Sequence, residues 1–224
     1  MLASKIITFN FAFQSTFKCG CIMNKQSEDI KAIREMMERS SKFQSINGLS
    51  LIIAGLLAVA GAMFAYFYLL LDPSLTHFNR TQEVLILLAV AFVVLALAVS
   101  VITLFSWRKA VKNKQSLFNK VTMRAVYNLM IPLVAGGIFS LVLLFNGNIG
   151  YVAATTLIFY GLALINASKF TVGEIHILGI CEVIIGLLAA IYLYHGIYWW
   201  TIGFGVLHII FGTIMYFKYD KSEP

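Results

Sequence analysis

The chain has 224 residues, of which 60% are apolar and 12% charged, with a formal net charge of +7 and a mean hydropathy of +0.85. Soluble domains are roughly 45–50% apolar and about 25% charged, so too few polar residues remain here to cover a cytosolic enzyme. A disordered chain and a disulfide-built secreted scaffold are excluded on the same composition, the latter also by its three cysteines.

Residues 1–22 differ in character from the rest of the chain. A secretory signal needs an unbroken apolar stretch and a small-residue cleavage site, whereas residues 6–17 are interrupted by Asn10, Gln14, Ser15 and Thr16. The polar segment that opens at Met23 reads as the true start, which makes residues 1–22 an over-extended or disordered leader. Cys19 and Cys21 lack the second ligand pair a metal site needs. No metal or other cofactor is expected.

Within the polar segment 23–48, residues 27–43 predict an amphipathic helix. Ser27 suits an N-cap, and Glu28 and Asp29 fall in the first turn, where the helix dipole favours anions. Ile30, Ile33 and Met37 recur at helical spacing, and Met36 widens the apolar face. Such a helix either docks a cytoplasmic protein partner or lies on the inner leaflet. The string I-R-E-M-M-E-R-S-S-K-F at residues 33–43, leading into N-G-L-S at 47–50 and Ala54-Gly55, resembles small uncharacterised bacterial integral membrane proteins. The resemblance covers about the first quarter of the chain. It implies a bacterial inner (cytoplasmic) membrane and carries no activity or catalytic residue.

Six stretches approach the roughly 20 apolar residues a transmembrane helix needs: residues 49–71, 84–106, 126–145, 149–166, 175–194 and 198–217. Their continuous apolar character is unlike the alternation of a membrane β-barrel. The last four are joined by very short turns at residues 146–148 and 196–197, which makes them antiparallel hairpins. The expected fold is all-α: a polytopic bundle of six spans over residues 49–217, in three hairpins, with a tail at 218–224.

Alternate connections differ sharply in charge. Lys5, Lys18, Lys25, Lys31, Arg34, Arg39 and Lys42 precede span 1, and Arg108, Lys109, Lys112, Lys114, Lys120 and Arg124 join spans 2 and 3. Lys169 and the pair Lys218 and Lys221 fall on the same side, leaving Arg80 alone opposite. Basic loops stay inside, so both termini are expected to be cytoplasmic. The positive charge is then a topology signal, with no nucleic acid implied. The cationic run 107–125, with Leu117, Phe118 and Val121 on one face, suits attraction to anionic lipid.

Tyr66, Tyr68, Tyr151, Tyr192, Tyr194, Tyr198, Trp199 and Trp200 mark one interface, and Trp107, Tyr127, Tyr216 and Tyr219 the other. Residues 48–58 align without gaps on residues 179–189, placing Gly48 on Gly179 and Gly55 on Gly186. Placing Gly136 on Gly186 brings Gly161 onto Gly212 with a single-residue gap, a faint sign of three related hairpins. Ala54, Ala58 and Ala62 form a close-packing stripe on span 1, and Gly205, Leu207 and Gly212 a less regular groove on span 6. Pro132 leaves the carbonyl of Asn128 without its helical donor, which predicts a kink or local opening in span 3. Cys181, inside span 5, reads as a small packing residue.

Glu182 is the sole Asp, Glu, Lys or Arg within the six stretches. A carboxylate near the bilayer centre costs about 2.5–3.5 kcal/mol unless paired, hydrated or protonated. Glu182 lies about 10 Å into span 5 and His208 about 13 Å into span 6 at 1.5 Å per residue, so the antiparallel pair can meet at one level. With His176 and Glu174 nearer the surface, the four form a candidate polar track from the cytoplasm. One reading is a proton- or ion-coupled site at Glu182 and His208. The other is an interhelical hydrogen bond from a protonated Glu182 that fixes the packing of spans 5 and 6.

No G-x-S-x-G, Walker A or strand-borne G-x-G-x-x-G motif is present, and an enzyme is not expected. The expected function is that of a non-enzymatic accessory or regulatory membrane protein. The alternative is a small proton- or ion-coupled transporter or channel using Glu182 and His208. The expected partners are the lipid bilayer, a cytoplasmic protein at residues 27–43, and a second copy of the chain.

Overall fold

The computed structural model describes residues 47–70, 80–112 and 120–221, all within the compact unit Phe43–Pro224. The expected amphipathic helix at 27–43, the Cys19–Cys21 pair and the start at Met23 lie outside the described residues.

Among the described residues six long helices follow in order: α1 Gly48–Leu70, α2 Arg80–Lys112, α3 Lys120–Phe145, α4 Val152–Ala167, α5 Gly173–Ile191 and α6 Gly196–Asp220. Each is long and apolar enough to cross a membrane, α4 together with the short 3-10 turns Ile149–Tyr151 and Ser168–Phe170 that flank it, and no strand occurs among the described residues. The protein is an all-helical, multi-pass membrane protein. Helix α6 is not uniform: it is π-helical over Thr201–Leu207 and again over Tyr216–Asp220, and α-helical elsewhere.

The helices outrun the apolar stretches. The cationic run at 107–125 is helical at both of its described ends. Its first part continues α2 to Lys112 and its last part opens α3 at Lys120, while Leu117 and Phe118 lie outside the described residues. Extending an existing helix avoids the cost of nucleating a new one, and Arg, Lys and Ala are good helix formers. The same holds for α6, which runs past Phe217 into the expected tail as far as Asp220.

The turn between α3 and α4 is set by Gly147, whose φ of +77° suits glycine. Its N–H donates to Leu144 O at 3.0 Å and that of Asn148 to Leu143 O at 2.8 Å, the paired bonds of a Schellman motif. The hairpin partners pack as pairs, α1 with α2, α3 with α4 and α5 with α6. Helix α6 also packs against α1, and α4 against α5, so α2 and α3 are the outer helices.

The faint repeat has a structural counterpart. A Cβ on Gly48 would lie 2.6 Å from Gly212 O, and one on Gly55 2.8 Å from Gly205 O, so α1 and α6 run antiparallel with their backbones nearly touching. On the other side of the bundle a Cβ on Gly161 would lie 2.6 Å from Gly179 O, and one on Gly186 3.1 Å from Ala154 O. The seven-residue spacing is the same at both interfaces. Larger side chains would hold these helices apart. Ala54, Ala58 and Ala62 are buried, as their spacing predicts.

Pro132 sits inside α3, which runs on past it without a break. The Asn128 carbonyl it deprives of a donor accepts a hydrogen bond from Asn166 Nδ2 of α4 at 2.9 Å. At the end of the bundle where α1 begins, here the basic end, Asp220 accepts the Gly48 N–H and a Lys109 Nζ hydrogen, each at 2.7 Å. One carboxylate thus caps α1 and ties it to the ends of α2 and α6.

Candidate functional site

Helix α5 presents Glu182 to α4 and α6. Gly203 leaves the room for it, because a Cβ there would lie 2.6 Å from Glu182 Oε2. The Glu182 side chain is fully buried, 0% exposed, and His208 is 4% exposed. The two residues meet as their depths predict: His208 Nδ1 lies 3.4 Å from Glu182 Oε1.

The imidazole is held by further contacts. His208 Nδ1 is 3.1 Å from Gly203 O, within the π-helical segment, and His208 Nε2 is 2.8 Å from the Tyr160 hydroxyl of α4. A carbonyl only accepts, so its approach to Nδ1 places a proton on that nitrogen. In the neutral ring Nε2 then accepts from the Tyr160 O–H. The ring forms a three-membered aromatic cluster with Tyr160 and Phe204, its centroid 5.5 Å from the first and 6.1 Å from the second, which are 5.0 Å apart.

Neither Glu182 oxygen has a hydrogen-bond partner among the described residues. The interhelical hydrogen bond expected from a protonated Glu182 is therefore not made by Glu182. Tyr160 and His208 make it instead, and it joins α4 to α6 rather than α5 to α6. A proton on Nδ1 leaves no lone pair there for a carboxylic acid to donate to.

The four-residue polar track is also corrected. Glu174 accepts from Lys218 Nζ in an ion pair and from the Tyr219 hydroxyl at 2.8 Å, both at the basic end of α6. His176 is exposed and lies 3.1 Å from Ser168 Oγ. Leu178, one helical turn from both Glu174 and Glu182, is 0% exposed. It belongs to an apolar cluster with Leu164, Ile175 and Met215, against which Tyr160 packs from one part of the bundle and Tyr219 from another. Helical spacing puts residues 174, 178 and 182 on one stripe, but the middle position is leucine. A second apolar cluster of Ala154, Leu157 and Ala189, flanked by Trp199 and Phe204, packs near the other side of the site.

Sequence reasoning missed Tyr160. It is a tyrosine in mid-span that neither interfacial belt accounts for, and that position was the available signal. No group of three His, Cys, Asp or Glu side chains that would hold a metal occurs among the described residues. Chemically, the arrangement offers one carboxyl group, one imidazole and one phenol, with the imidazole 3.4 Å from the first and 2.8 Å from the last. No protein-family model, curated protein or solved structure matches the chain.

Proposed function

We propose that this is a non-enzymatic accessory or regulatory protein of a bacterial inner membrane, with both termini cytoplasmic and a protein partner docking at residues 27–43. Support for the orientation comes from the cations, all of which but Arg80 fall on one side. Support for a structural rather than a conducting role comes from one observation above all. The Leu178 layer separates the buried Glu182–His208–Tyr160 cluster from the polar groups at the basic end. In this reading the cluster fixes the mutual packing of α4, α5 and α6, and the protein acts through what it holds at its surface. Co-purification from native membranes tests the docking. Deleting residues 23–40 is expected to lose the partner while the six spans still insert, and unchanged partner recovery would sink the docking reading.

A second reading is favoured by the two unpartnered oxygens of Glu182. Buried carboxyl groups without donors are costly, and proton-coupled transporters place such groups beside imidazoles. A small proton- or ion-coupled transporter would use Glu182 and His208 as its loading site. Proton flux that depends on Glu182 is the observation that would favour it.

A further inference from the structure

We propose that one proton on Glu182 decides whether His208 is hydrogen-bonded within α6 or across to α5, which makes the seating of α6 on α5 a pH-sensitive switch. The proposal rests on the packing reading of the cluster and makes that packing depend on a proton. His208 Nδ1 stands beside two acceptors on different helices. Gly203 O of its own helix is at 3.1 Å and Glu182 Oε1 of α5 at 3.4 Å. The nitrogen carries one hydrogen, and neither Glu182 oxygen receives it. In the structure it goes to the carbonyl.

The charge on Glu182 sets the order of the two acceptors. A buried, unpartnered carboxyl group takes the neutral form, because a bare carboxylate in the same place costs far more. A carboxylate, in turn, accepts a hydrogen bond about twice as strong as a neutral group does. When Glu182 gives up its proton to water, Oε1 becomes the better acceptor and the Nδ1–H turns to it from Gly203 O. The imidazole stays neutral throughout, and the Tyr160 hydroxyl on Nε2 gives the ring a fixed point to pivot on.

The backbone around Gly203 suits the exchange. Gly203 lies in the π-helical stretch Thr201–Leu207, which ends where His208 begins, and such turns recur at functional sites. With no side chain at 203, the carboxyl group and the helix meet directly. From His208, α6 runs on to Asp220, which holds the Gly48 N–H and Lys109, so a change in its seating reaches the basic end. His208 of α6 faces Glu182, and Tyr160 of α4 reaches it through the imidazole. On α5 itself Glu174 is held by Lys218 and Tyr219, His176 is exposed and Cys181 is half-buried. Tyr151, Lys169, Tyr192, His195 and Tyr198 lie at the helix ends.

The test uses the full chain in lipid nanodiscs, with carbon-13 in the glycine carbonyl and glutamate carboxyl groups and nitrogen-15 in the histidine rings. Solid-state NMR then measures the two distances from His208 Nδ1 at the ends of a range from about pH 5 to about pH 10, within which buried carboxyl groups titrate. At the upper end the separation from Glu182 Oε1 is expected to close from 3.4 Å to about 2.8 Å. That from Gly203 O should open from 3.1 Å to beyond about 3.5 Å. In Glu182→Gln, which keeps a neutral side chain at every pH, the Gly203 distance should stay constant. Should that variant fail to fold, the wild-type distances at the two pH values decide by themselves. Wild-type distances that do not change with pH would overturn the proposal. So would an equal change in Glu182→Gln, because the titrating group would then lie elsewhere. Rapid proton flux through Glu182, measured separately in liposomes, would instead sink the packing reading; slow flux with constant distances sinks the switch alone.

Discussion

The Tyr160 hydroxyl and His208 Nε2 lie 2.8 Å apart, joining α4 to α6 at the level of the buried Glu182. The bond sits between two apolar clusters, so neither partner has ready access to water as a substitute. Interhelical hydrogen bonds in membranes contribute about 0.6 kcal/mol on average and up to about 1.7. Tyr160→Phe should lower stability by about 1 kcal/mol, read from reversible unfolding in mixed micelles. Phenylalanine keeps the ring contacts with Phe204 and His208, so a loss well above 2 kcal/mol would mean that more than this bond had been disturbed.

Gly203 gives the second prediction. A methyl there would press on the Glu182 carboxyl group and on Leu157, which is 0% exposed. Overpacking typically costs about 1–3 kcal/mol. Gly203→Ala should destabilise the protein by that amount and displace α6 from α5. Gly137→Ala, on an open face, should leave stability within about 0.5 kcal/mol. Equal effects of the two changes would contradict the packing described here.

Asn166 should owe its effect to Pro132. Its side-chain amide donates to the Asn128 carbonyl that the proline leaves without a helical donor. Asn166→Leu should therefore cost about 1 kcal/mol or more. In a Pro132→Ala background, where the backbone can supply the donor, the same change should cost distinctly less. A double-mutant cycle on unfolding free energies measures the difference, and a coupling energy of zero would show the two residues to be independent.

Much of the architecture was legible in the sequence because the bilayer imposes it. Apolar length marked all six helices, and short turns paired four of them into hairpins. The seven-residue glycine spacing in residues 48–58 and 179–189 corresponds to two similar antiparallel contacts, Gly48 with Gly212 and Gly179 with Gly161. Depth counting put Glu182 and His208 at one level, where the structure holds them 3.4 Å apart. What periodicity does not reveal is which side chain occupies the space between two positions on one stripe. Glu174 and Glu182 share a face, yet Leu178 separates them. Cross-helix partners were hidden for a related reason: Tyr160 and Asn166 fit an apolar span well enough to raise no alarm. The π-helical turn at Thr201–Leu207 has no proline or other local signal, and its Gly203 carbonyl became visible only as the partner of His208.

The choice between a packing cluster and a proton-loading site rests on Glu182, and proton flux addresses it directly. Purified protein is reconstituted into liposomes with a pH-sensitive dye inside, an inward proton gradient is imposed, and wild type is compared with Glu182→Gln. A packing role predicts the same slow dye response for both proteins and for empty liposomes, with Glu182→Gln still folded. Rapid acidification by wild type that Glu182→Gln abolishes would contradict it and establish Glu182 as a working proton site.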